Sequence, residues 1–349
     1  MKPQALWQPG VALLVLVVAA IFPLVITTGL WTQIGVETMI FVGAAAAWNI
    51  FSGFSGYISL GHAVFYGTGA YTVAILAQHW HLSGDAVFWL MPLGAVTAAV
   101  VAIPFGLVAL QARRHTFVVV TIAIFFIFQL MASNFSFTGG SSGIIAPVLN
   151  WDAATFNNPF YYIALIISAV TIGLAWLIRG SRFGLQLRAI RDDEDRARGL
   201  GVKTFRVKLS ALMISAFITG LLGGLFYYFI GQAVPQFIFD PLFDLSVALM
   251  AFFGGLGTVA GPVLGALIIE PAQQYLTVQI TNDYLSLILL GALFLAVILL
   301  VPRGVIPTLS EMISQRRSRQ AGRPMAAVVP PGAPAVPQPA AGRGKEAGR

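Results

Sequence analysis

Nine apolar windows recur along this chain, near residues 11–28, 34–51, 58–79, 86–110, 116–132, 160–178, 209–231, 242–270 and 284–302. Each is long enough, at roughly 17 to 25 residues, to cross the hydrocarbon core of a bilayer as a helix. Backbone inside lipid must satisfy its own hydrogen bonds, and a helix does so within one segment. An all-α, polytopic integral membrane protein is therefore expected, with about nine to ten transmembrane or half-membrane helices. The composition agrees. With 58% hydrophobic and 9% charged residues and a mean hydropathy of +0.84, the chain carries more apolar surface than a soluble domain could bury.

The net charge of +7 does not describe a nucleic-acid surface, because the 20 basic residues sit in a few places. They are Lys2, Arg113 with Arg114, nine residues from Arg179 to Lys208, Arg303, and the tail from Arg316. Basic residues concentrate on the cytoplasmic side of membrane proteins, so both termini and the loops at 111–115 and 179–208 are expected there. Parity then tests the segments. Four fall between Lys2 and Arg113 and two between Arg114 and Arg179, but three fall between Lys208 and Arg303. The longest of those three is interrupted by "GGLGTVAGP" (Gly254 to Pro262), whose glycines and proline weaken a helix, and a broken pair is expected there. The first segment follows Lys2 without a convincing cleavage site and is expected to stay as a helix. The chain divides into a first transmembrane half (1–178), a cytoplasmic loop (179–208), a second half (209–309) and a Pro/Ala/Gly-rich disordered tail (310–349).

Glycine is dense in two places. "NIFSGFSGYISLGHAVFYGTGAY" (Asn49 to Tyr71) holds Gly53, Gly56, Gly61, Gly67 and Gly69, and a weaker, inverted-repeat echo holds Gly254, Gly257, Gly261 and Gly265. Single glycines of this kind mostly serve close helix packing. Gly-interrupted segments in both halves of a chain together point to a solute path. The expected wall is Gly53, Gly56, Ser59, Gly61 and His62 with Gly254, Gly257, Thr258 and Gly261, offering helix ends to a solute carboxylate. His62 reads as a packing residue before a proton relay. Glu37 and Asp283 read as interfacial, and carboxylates at depth look scarce.

Cysteine is absent, which removes thiolate chemistry. "GLGVKT" (Gly199 to Thr204) lacks the Gly-Lys pair of a P-loop, and neither H-E-x-x-H nor a nucleophile elbow occurs. No catalytic constellation is present, and no cofactor is expected on this chain. The charge that does exist gathers in "RAIRDDEDRARGLGVKT" (188–204). On one helix, Asp192 would pair with Arg196 and Glu194 with Arg198, acids first and bases last. Positive-inside placement explains the arginines but not four consecutive acids, and a docking helix for a soluble partner explains both.

Four blocks in this order resemble the LivM type of permease from ABC importers of branched-chain amino acids. They are "SGYISLGHAVFYGTGAY", "FTGGSSGI", "FGLQLRAIRDDEDRARGLGV" followed by "KLSALMISAFITGLLGGLF", and "GGLGTVAGPVLGA". The resemblance covers roughly residues 34 to 302. It implies a bacterial inner-membrane complex with two ATPase subunits, which use the ATP, a second homologous permease and a periplasmic substrate-binding protein. It further implies that a coupling helix docks on an ATPase through Ala189, Ile190, Arg191, Asp192, Glu194, Ala197, Leu200 and Gly201. The outside loop would meet the binding protein at Thr138, Gly139, Gly140 and Ser141. The alternative is an ion-coupled secondary transporter or channel for a small solute.

Overall fold

The computed structural model describes residues 9–308, apart from 27, 83, 150, 153, 154, 281–284, 286, 287, 290, 293, 294, 296–303 and 307. The expected segment 284–302 falls mostly outside the described residues, as do Lys2, Asp283, Arg303 and the tail 310–349.

The helices follow the apolar windows. They are α1 (Pro9–Val25), α2 (Gly29–Trp48) prolonged by a π-helical turn (Asn49–Gly53), α3 (His62–His79), α4 (Met91–Ala109), α5 (Arg114–Asn134) and α6 (Asn157–Gly180). Two short helices, α7 (Arg182–Asp192) and α8 (Glu194–Gly199), lead to α9 (Thr204–Ile230), α10 (Pro235–Ile238), α11 (Pro241–Gly254) and α12 (Ala260–Gln279). Six stretches among the described residues are long and apolar enough to cross a membrane. The interior helices α3 and α12 fall short of that measure because they carry polar residues, among them His62, Glu270, Gln273 and Gln274. The expected interruption in the second half is real, with α11 ending at Gly254 and α12 starting at Ala260.

Helix α2 is central and α5 peripheral: 94% of the α2 window is buried against 22% of the α5 window. The outward faces of α4, α5 and α6 present Val100, Ile127, Val170 and Leu177, side chains that suit lipid and not water. Inside, α9 packs on α3 and α4, and α2 packs on α6 and α12. Small residues permit this closeness. A Cβ on Gly69 of α3 would run into the Gly220 carbonyl of α9, so any larger residue would force the two helices apart.

The connections collect at two opposite ends. At one, Arg114 Nη2 donates to the Arg191 carbonyl at 2.6 Å and Asn49 Nδ2 donates to the Thr258 carbonyl at 2.8 Å, so the loops after α2, α4, α6 and α11 meet. The basic residues of the 111–115 and 179–208 loops lie here. At the other end, strand β1 (Ile144–Ile145) pairs antiparallel with β2 (Gln232–Ala233), and Trp151 Nε1 donates to Asp85 at 3.0 Å. Both glycine-interrupted turns open at the first end. Their echo is of the same sense and not inverted, because α2 and α11 both descend into these turns and α3 and α12 both climb out.

Candidate functional site

The two glycine stretches, 200 residues apart in sequence, touch through one amide. Asn49, in the first turn of the π-helical segment, donates to the Thr258 carbonyl and accepts from the Gly257 N–H at 2.9 Å. A buried amide inside an apolar run must find such partners or leave the fold destabilised. Gly56 and Gly257 adopt φ of +76° each, the left-handed region that glycine tolerates without strain.

Arg191, at the end of α7, reaches into this joint. Its Nη1 donates to the Gly53 carbonyl at 2.9 Å, and its side chain lies where a Cβ on Gly56 or Gly257 would stand. Arg114 holds the end of α7 by donating to the carbonyls of Ile190 and Arg191. A second contact lies beside it. Glu194 accepts from Lys208 Nζ at 2.7 Å and from the Tyr57 hydroxyl, and Lys208 Nζ stands 4.2 Å above the Tyr57 ring. The charged loop and the glycine stretches are thus one structural unit.

The loop is two helices where one was expected. Asp193 is extended, with φ −156° and ψ 110°, and its carboxylate accepts from the Arg196 N–H at 3.0 Å as the cap of α8. A side chain that satisfies a helix-start donor competes with continuation of the preceding helix. Asp192 therefore does not pair with Arg196. Asp193 does, at 3.0 Å, while Glu194 meets Arg198 at 3.5 Å as expected. Of the eight positions ascribed to docking, Ile190 and Ala197 are buried and pin the helices to the bundle. Arg191 and Glu194 turn inward, and Ala189 is half-buried. Asp192, Leu200 and Gly201 face outward, with Leu200 85% exposed.

After Gly53 the chain climbs back into the bundle. Trp48 Nε1 donates to the Ser59 carbonyl at 2.8 Å, and Gly61 packs against Phe105 and the Thr121 carbonyl. Helix α3 therefore starts about 9 Å inside the turn, at the level of Ala47 and Trp48. A helix start in a low-dielectric interior needs acceptors for its free N–H groups. Asp244 of α11 supplies one, accepting from the Ala63 N–H at 3.1 Å, and Thr258 Oγ1 accepts from Gly261 N–H at 2.9 Å at the start of α12. The helix ends that the sequence reading left for a solute carboxylate are filled by the chain's own side chains.

His62 is 1% exposed and lies between Ser59 Oγ (3.1 Å) and Ser215 Oγ (2.8 Å), boxed by Trp48, Phe51 and Phe65. Glutamine can bond both hydroxyls. His62→Gln is expected to retain transport with an unchanged pH profile, measured as uptake between about pH 5.5 and 8. A shift of the profile by about one pH unit would mark His62 as a proton carrier.

Glu37 is not interfacial: it is 8% exposed within α2, and Glu270 of α12 is fully buried. Carboxylates at depth are present after all. At the opposite end, Gly139 and Ser141 are exposed and Gly140 half-buried, but Thr138 is buried, its hydroxyl donating to the Ala132 carbonyl at 2.6 Å. Thr138 offers nothing to a partner there. Asn49, Tyr57, Lys208 and Asp244 escaped the site reading. The signal for Asn49 was one amide at the head of a glycine stretch, and Lys208 was hidden among charges counted for orientation.

Residues 30–298 match the family described as the branched-chain amino acid transport system / permease component. LivM of Escherichia coli (strain K12), a high-affinity branched-chain amino acid transport system permease protein, is 30% identical over 329 residues, 85% of this chain and 74% of its own. LivM of Salmonella typhimurium is 27% identical, covering 88% and 77%. LivH of E. coli K12, a permease protein of the same kind of system, is 26% identical over 75% of this chain and 89% of its own. No solved structure matches the chain. Family match, LivM likeness over most of both chains and a bundle of membrane-crossing helices agree, and the chain belongs to the branched-chain amino acid transport permease family as a permease subunit of an ABC importer.

Proposed function

We propose that this chain forms one half of a pathway for branched-chain amino acids or a related small solute, opened and closed at the joint where Arg191 meets Gly53, Gly56 and Gly257. The carrying observation is that joint: the charged loop is bonded to Gly53 of the first glycine turn and lies against Gly257 of the second, and Asn49 ties the two turns together. A movement imposed on the loop must shift the turns with it. The outward part of the loop, Asp192, Leu200 and Gly201, is the surface for an ATPase, and two such subunits serve the complex. Likeness to both LivM and LivH supports pairing with a different, homologous permease. The end bearing the basic loops faces the cytoplasm of a bacterial inner membrane, the side on which both termini are also expected from the charge distribution, and the β1–β2 end receives the periplasmic binding protein near Gly139 and Ser141.

Purification from native membranes tests this. Two ATPase subunits and a second permease should accompany the chain and be lost when 188–201 is altered. A lone chain that accumulates solute without ATP would establish the ion-coupled carrier instead, for which the buried Glu37 and Glu270 supply carboxylates. Arg191→Ala removes the bond to Gly53. In the reconstituted importer it is expected to retain ATP hydrolysis within about twofold while uptake falls about tenfold, roughly 1.4 kcal/mol of lost coupling. Equal losses in both would show that Arg191 serves folding alone.

A further inference from the structure

Asp244 caps a helix, but the remaining buried carboxylates, Glu37 and Glu270, have no such task. Helices α2 and α12 lie antiparallel in a register fixed at two places. Near one end Trp31 stacks on Tyr275 with centroids 6.0 Å apart, and near the other Asn49 bonds the Thr258 carbonyl. From that bond Glu37 lies twelve residues back along α2 and Glu270 twelve residues on along α12, about 18 Å in either case. The two carboxylates therefore share one level deep in the bundle.

Their surroundings lack a counter-charge. Glu37 accepts from the Gln33 amide at 3.2 Å and Glu270 from the Gln274 amide at 2.9 Å. The second oxygen of Glu270 is buried without a partner, and neither acid joins an ion pair among the described residues. Glu37 and Tyr66 of α3 are within electrostatic reach of Glu270. Tyr66 stacks on Phe243 at 4.4 Å, and Phe243 packs on Phe41 at 5.5 Å, which gives the acids an apolar neighbour. Two acids at one level in a low-dielectric interior cannot both stay ionised unaided: they take up protons or are joined by a cation. The set is too small for a metal: no group of three or more His, Asp or Glu suited to one occurs among the described residues.

We propose that Glu37 and Glu270 bind the primary ammonium group of the transported solute, with Phe41, Tyr66 and Phe243 facing its apolar side chain. This rests on the amino-acid permease reading, since an amino acid supplies that ammonium. Two carboxylates outweigh one amino-acid carboxylate in charge, and the Gln33 and Gln274 amides lie beside them as donors.

The test uses the purified full-length chain in lipid nanodiscs, titrated with isopentylamine, leucine and the α-keto acid of leucine. The amine and leucine are expected to bind at least about tenfold more tightly than the keto acid. Glu37→Gln and Glu270→Gln should each weaken amine binding about tenfold or more, with melting temperatures close to wild type, and Glu270→Asp should weaken it less. The proposal is overturned if the keto acid binds as well as the amine, or if both Gln variants bind the amine unchanged. Absence of binding by every probe to a folded wild-type chain also overturns it, in favour of a proton shared by the two acids. Amine binding by a chain whose assembled importer takes up no leucine would keep the site and remove the branched-chain amino acid as the solute.

Discussion

Gly257→Leu is expected to reduce solute uptake to background, about a hundredfold, while leaving the chain inserted in the membrane. Two independent costs fall on that position. A leucine at φ +76° carries about 1–2 kcal/mol of backbone strain. Its Cβ would also run into the Arg191 guanidinium and stand 2.9 Å from the Gly53 carbonyl, displacing the bond between loop and turn. The surrounding helices are held by packing far from the turn, so insertion should survive. Gly173→Leu is the control, since that glycine is exposed on α6 with nothing within 4 Å, and its uptake should stay near wild type. Side-by-side uptake in vesicles with matched protein levels checks this. Normal uptake by Gly257→Leu would remove the glycine joint from the mechanism.

The second large effect concerns Glu194 and Lys208, whose side chains are 16% and 4% exposed. Removing one member of a buried ion pair strands the other, at about 3 kcal/mol for Glu194→Gln or Lys208→Met. The double variant should cost less than the sum of the two, because no charge is left unpaired. Thermal unfolding in lipid nanodiscs measures all three. The acid dependence follows from the same contact. Burial pushes the Glu194 carboxyl up, but hydrogen bonds from Lys208 and Tyr57 together outweigh it and hold the group below its ordinary 4.5. A carboxylate depressed by folding stabilises fully above that ordinary value and loses its contribution as pH falls through the folded value. Wild type should therefore lose stability more steeply than Glu194→Gln once the pH drops below about 4.5. Parallel curves for the two would show that Glu194 is not ionised in the pair.

Much of the architecture was legible because lipid imposes a strict length and polarity on each crossing. The apolar windows found α1, α2, α4, α5, α6 and α9 to within a few residues, and parity located the break between α11 and α12. The segment 58–79 is expected as one helix, yet 58–61 is an irregular return with a bend at Leu60, and nothing in its hydropathy separates it from the helix that follows. The site was half legible. Residue types marked the glycine stretches and the charged loop, but not that Arg191 and Glu194 point inward while Leu200 points out. That division depends on Asp193, whose extended backbone rotates α8 relative to α7, and a single aspartate among four acids carries no visible sign of capping. The interfacial reading of Glu37 rests on its distance from the start of the 34–51 window, whereas α2 begins at Gly29. Depth depends on where the helix begins.

The short strand pair between Ile144–Ile145 and Gln232–Ala233 has a mechanical consequence for the other end of the molecule. It clasps the far end of α9, where Tyr71 also donates to the Ala233 carbonyl at 3.0 Å. A rod clasped at one tip swings about that tip. Helix α9 runs from Thr204 to Ile230, and Lys208 stands about 33 Å from the Ile230 tip, so a tilt of about 5° moves Lys208 by about 2.9 Å. That sweep exceeds the 2.7 Å reach of Lys208 to Glu194. The strand pair thus acts as a fulcrum, and its stiffness sets how small a push on the loop suffices to unfasten the joint.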